Sequence, residues 1–181
     1  MSQQEEHRDK IYKALESLVQ HKKLSEVKVV DLCQVSGIPR STFYTLFCDI
    51  YSIPQFLWDK MMQPTLYQIG ATKTWDEGHR LMFMNLLEKK ELFLKIYWES
   101  DYHSIPEYGY RGGYLAVKNN VEQRKNHIWT NEELVELDYT IKALATLTTK
   151  WGRDGMVVPV EKIVRIFNHH IPFFLKDLCD T

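Results

Sequence analysis

Residues 27–53, VKVVDLCQVSGIPRSTFYTLFCDIYSI, constrain the fold of this chain more than any other stretch. Val29, Val30, Leu32 and Cys33 put apolar groups on one side of a first short helix. Gly37 stands where that helix ends, because glycine takes the left-handed conformation past a C-terminus without steric penalty. Pro39 follows, and its fixed φ and missing N–H suit the opening of a second helix. That helix is expected from Arg40 to about Leu46, with Phe43 and Phe47 one turn apart to lock it into a core. Arg40, Ser41, Tyr44 and Thr45 are then left facing outward. A short helix pinned by two aromatics and presenting Arg, Ser, Tyr and Thr is what a DNA-reading helix-turn-helix needs.

The rest of the chain reads as helix almost throughout, with no long stretch of strand-type alternation. Ile11, Leu15 and Leu18 keep helical spacing in a first helix expected over about 4–21. Asp49 or Ser52 caps the helix that follows the reading helix, with Pro54 in its first turn and Pro64 kinking or ending it. Segments near 75–87 and 91–98 follow, and the run SDYHSIPEYGYRGG is the best loop candidate. A weaker helical pattern then resumes to about residue 127. Thr130 and Glu133 form a capping box that starts a long helix, which Gly152 and Gly155 stop. Pro159 opens a last helix that Pro172 should bend. The expected class is all-α: a three-helix helix-turn-helix module over 1–50 and a larger helical domain over 51–181.

Composition narrows the function. Apolar residues at 44% and charged residues at 26% are ordinary for a soluble globular protein. The opening MSQQEEHRDK is too polar for a secretory signal, and no apolar run is long enough to span a bilayer. Cys33, Cys48 and Cys179 have no metal-ligand spacing and suit a reducing cytoplasm. His169 and His170 are adjacent, so on a helix they diverge and chelate poorly; the i, i+4 metal-binding pattern is absent. Asp101, His103 and Glu107 lack a nucleophile or phosphate loop beside them. No enzyme, metal or cofactor is therefore expected. Residues 1–55 hold seven Lys or Arg against seven Asp or Glu, so a basic DNA face must come from arrangement of Lys22, Lys23, Lys28 and Arg40.

The order V-x-x-L-C-x-x-S-G-I-P-R-S-T-F-Y-x-L-F-x-D, with Ile11, Ala14 and Leu18 before it, resembles the N-terminal signature of TetR-family transcriptional regulators. That signature reads I/V-x-x-I/L-A-x-x-A-G-V-S-x-x-T-F/L-Y-x-H/Y-F-x-S/D-K. The match covers about 45 of 181 residues. Pro39 stands in place of the usual capping Ser, Leu46 in place of His or Tyr, and Ile50 in place of Lys. The resemblance implies a homodimer on a palindromic operator in double-stranded DNA. It implies DNA contacts from Lys28, Pro39, Arg40, Ser41, Thr42, Tyr44 and Thr45. It further implies repression released by a small-molecule or protein effector.

In that family the middle helices often enclose a hydrophobic pocket, to which Trp58, Met61, Met62, Tyr67, Met82, Trp98, Tyr102, Tyr110 and Tyr114 are assigned. The last two helices pair with a second subunit, which assigns Leu137, Ile141, Leu144, Thr148, Val164, Phe167, Ile171 and Phe174 to the interface. The rival reading is a helical module, binding a small molecule or a protein, that has lost its hold on DNA.

Overall fold

The computed structural model describes residues 2–96 and 105–180. Ten α-helices and no strand occur among them: α1 Gln3–Leu18, α2 Val29–Ser36, α3 Arg40–Leu46, α4 Ser52–Met62, α5 Trp75–Glu88, α6 Lys90–Ile96, α7 Ile105–Lys125, α8 Asn131–Arg153, α9 Val160–His170 and α10 Phe173–Asp180.

Local chemistry sets most of the boundaries. Ser2, Thr74 and Thr130 each cap a helix while the acidic side chain three residues on, Glu5, Glu77 or Glu133, returns the bond to the cap N–H. Gly37 closes α2 at φ 70°, in the left-handed region that only glycine enters freely. Asp49 accepts from the Ser52 N–H at 2.9 Å and so starts α4. Gly155 ends α8 at φ 79°, whereas Gly152 lies inside that helix and is buried.

Two expectations are corrected. The Pro- and Gly-bearing segment from Ile105 to Gly113 is helical, forming the first half of α7. Pro106 sits in the first turn, where a missing N–H costs nothing. The glycines serve close packing: a Cβ on Gly109 would lie 2.7 Å from the Trp58 ring, and one on Gly112 would lie 2.3 Å from the Tyr67 hydroxyl. Second, Pro172 breaks the last helix instead of bending it. Ile171, forced out of the helical region by the following proline, is extended at ψ 133°, and the chain restarts as α10.

The first three helices close around Ile11, Leu15, Leu32, Phe43 and Phe47. The larger part packs α7 against α8 and α5 against α9, around Trp75, Phe83, Phe93, Leu137 and Phe167. Lys60 to Asp9 at 2.8 Å and Lys95 to Gln20 at 2.6 Å tie the two parts together.

Candidate functional site

The helix-turn-helix is built as its residues require. Phe43 and Phe47 are buried with rings 5.8 Å apart, and Leu46 joins them in the core. This anchoring turns the opposite face of α3 to solvent: Arg40, Ser41, Tyr44 and Thr45 are exposed, while Thr42 is half-buried. Pro39 occupies the cap position, one residue before the helix, and is also exposed. Tyr44 is 53% exposed, its ring edge-on to Phe43, so its hydroxyl stands clear of the protein. The Thr45 hydroxyl donates to the Thr42 carbonyl at 2.7 Å, leaving it an acceptor toward solvent. Of the four cations expected to form a basic face, Lys22 is engaged by Asp31, whose carboxyl is held low first by that bond and then by the Lys28 N–H. Lys23, Lys28 and Arg40 are exposed. Ile50 is half-buried against the core.

A cavity of about 50 Å³ lies in the larger part, between α4, α5, α7, α8 and α9. Trp58, Met82 and Tyr110 line it, three of the residues assigned to a pocket. Met61, Met62, Tyr67 and Tyr114 do not line it. Met62 is wholly buried in the core, and the Tyr67 hydroxyl turns to Asp59 at 2.9 Å. Trp98 and Tyr102, with Asp101 and His103, lie outside the described residues. Glu107 is engaged by Lys142 at 2.7 Å and Arg111 at 3.0 Å.

Four more of its walls come from residues assigned to a subunit interface. Ile141, Leu144, Thr148 and Phe167 face into the cavity. Leu137 and Val164 are likewise buried within the single chain, and only Ile171 and Phe174 keep partial exposure. The apolar stripes of α8 and α9 are therefore filled by α7 and α5, and most of the assigned residues have no free surface to offer a second subunit. Val135, Tyr139 and Leu147 of α8, with Ile166 of α9 and Phe173 of α10, are the apolar side chains that remain exposed there.

Eight lining residues were not assigned from the sequence, and His79 is the titratable one among them. It sits on α5 between Trp75 and Phe167, with ring centroids 4.4 and 5.1 Å away. Burial pushes its pKa down to about 4, so the ring is neutral near pH 7. The Trp75 and His79 spacing of one helical turn was the available signal.

Asp59 joins the linking helix α4 to the larger part. It accepts from Tyr67 at 2.9 Å and from Tyr108 of α7 on its other oxygen. Burial, then the bond to Asp59, raises the Tyr108 hydroxyl to about 12, so it remains a donor. Among the described residues no helix is long and apolar enough to cross a membrane, and no three ligating side chains form a metal cluster.

These helices define an all-α fold in which a small helix-turn-helix unit is joined by one helix to a larger bundle. A solved structure titled "Dihydroxyacetone kinase operon activator DhaS" shares it with a TM-score of 0.61. The two are 17% identical, and the likeness covers 91% of this chain and 96% of that one. No family model matches the sequence, and no curated protein does.

Proposed function

We propose that this chain is a TetR-like DNA-binding regulator of transcription. Residues 1–50 bind DNA, and residues 51–181 bind an effector and dimerise. The observation that carries this reading is α3, pinned by Phe43, Leu46 and Phe47 with Arg40, Ser41, Tyr44 and Thr45 exposed on one face. The structural neighbour's title, an operon activator, supports the same class. Two such helices, one per subunit, would enter successive major grooves of a palindromic operator with half-sites ~34–36 Å apart.

The dimer seam in this reading is the exposed row of Val135, Tyr139 and Leu147, together with Ile166 and Phe173. The effector site is the cavity. Asp59, held by two tyrosines of the larger part, carries a change in the cavity into α4 and so into the spacing of the reading helices. Such a switch needs an effector that binds the DNA-free state more tightly. In this reading the protein is a repressor that the effector releases from its operator.

Selection of bound sequences from a random DNA pool tests the reading. A palindrome with half-sites one turn apart supports it, and no enrichment leaves the rival, a binding module without DNA. The even balance of charge over residues 1–55 and the half-buried Ile50 are the observations that favour that rival. Deletion of the gene decides the direction of control: raised transcription from the operator means repression, lowered transcription means activation.

A further inference from the structure

The cavity carries a specific pattern of hydrogen-bonding groups. The His79 side chain is 97% buried by the 3% exposure of the residue, and its Nδ1 lies 2.8 Å from the Trp75 carbonyl. A carbonyl only accepts, so Nδ1 carries the proton and Nε2 is a bare acceptor. Nε2 has no hydrogen-bond partner among the described residues.

Three other polar side chains of the wall have already used their donors. Thr148 donates to the Leu144 carbonyl at 2.9 Å and Thr149 to the Ala145 carbonyl at 2.8 Å. The Tyr110 hydroxyl donates to Asp138. What these side chains offer the cavity is acceptors alone. Among the described residues no Lys, Arg, Asp or Glu lines it. An anion entering would meet these lone pairs and lose its hydration, and a cation would find no carboxylate in the described lining, so both are disfavoured.

A surface groove of about 480 Å³ between α7 and α8 shares Pro106, Tyr110, Ala145 and Thr149 with the cavity. The cavity itself has about a third of the ~150 Å³ that admits a benzene ring. A ligand larger than a few atoms must therefore leave part of its body in this shared mouth.

We propose that the cavity binds a small, neutral, slender molecule that enters through the α7–α8 mouth with a hydroxyl or N–H leading. The leading group donates to His79 Nε2. The apolar body lies against Trp58, Met82 and Phe167, and its tail rests between Pro106 and Ala145. This deepens the effector reading of the same cavity by naming the class of effector.

The test uses the whole protein without DNA, so that its outcome is independent of operator binding. Phenol, toluene and benzoate are titrated calorimetrically, the first two being near-isosteres that differ in the donor. Phenol is expected to bind, toluene about two- to twelve-fold more weakly, which is the worth of one hydrogen bond, and benzoate not at all. His79→Phe keeps the aromatic contacts and should equalise phenol and toluene, while Ala145→Leu should plug the mouth and abolish both. In the native protein the ¹⁵N resonance of His79 Nε2 should move with phenol and stay with toluene, a readout that does not depend on either variant folding. Absence of phenol binding, equal binding of toluene or benzoate, or an unmoved Nε2 resonance overturns the proposal. Phenol binding that leaves DNA affinity unchanged counts against the regulator reading alone.

Discussion

Arg40 and His79 are opposite kinds of candidate residue, one exposed on a short helix and one sealed in a bundle. Arg40 is the first residue of α3, where a reading helix reaches base edges or phosphates. Arg40→Ala should weaken operator binding by ~1–3 kcal/mol and relax specificity at one position in each half-site. Competition binding against single-base operator variants measures both effects. His79 predicts a pH dependence of folding. Its folded pKa of about 4 lies below the ordinary 6.5. Between those values the unfolded chain holds a proton that the folded chain does not, so stability falls as pH drops through that window. The loss amounts to roughly 3 kcal/mol once pH is below both values. Urea unfolding from pH 7 to pH 4 should show this slope, and His79→Phe should remove that part of it.

At the scale of elements, the boundaries were the most legible feature. The capping box at Thr130, the left-handed Gly37 and the start of α3 at Arg40 rest on interactions within a few residues. What was not legible depended on partners far along the chain. Gly109 and Gly112 read as loop residues because their reason for being small, Trp58 and Tyr67, lies about 50 residues away. The stripe of α8 was visible in the sequence, but periodicity says that a face is buried and not what covers it. Gly109→Ala should test the first point. Its methyl gains up to ~1 kcal/mol of helix propensity but meets Trp58 at 2.7 Å, and overpacking costs ~1–3 kcal/mol. The net expectation is a lowered urea midpoint. Gly113→Ala meets Leu66 and Ile141 at 3.6 and 3.7 Å, ordinary contact distances, and should be neutral or stabilising.

At the scale of the whole molecule, the fold class was readable from the first 50 residues and the helical pattern that follows them. The candidate site was readable in part: the outward residues of α3 are exposed as expected, whereas the cavity drew four of its walls from residues assigned to a subunit seam. Substitutions separate the two roles. Tyr139 is 76% exposed, so Tyr139→Asp should leave folding intact and convert dimer to monomer in sedimentation. Ile141→Asp puts an unpaired carboxylate into the protomer core and should cost several kcal/mol of folding stability at any concentration. If Tyr139→Asp sediments like the parent chain, the outer row of α8 is not the seam.

The helix α8 thus carries two rows of side chains: Ile141, Leu144 and Thr148 turned inward to the cavity, and Val135, Tyr139 and Leu147 turned out. If two chains pair through the outer row, the choice of chemical signal and the choice of partner are written on opposite sides of one cylinder. A duplicated copy of the gene could then drift toward a new signal by inward substitutions and still assemble with its parent. Outward substitutions would instead split the two copies into separate assemblies that answer to the same signal. Inheritance of the two traits would be uncoupled by nothing more than the 3.6-residue pitch of a helix.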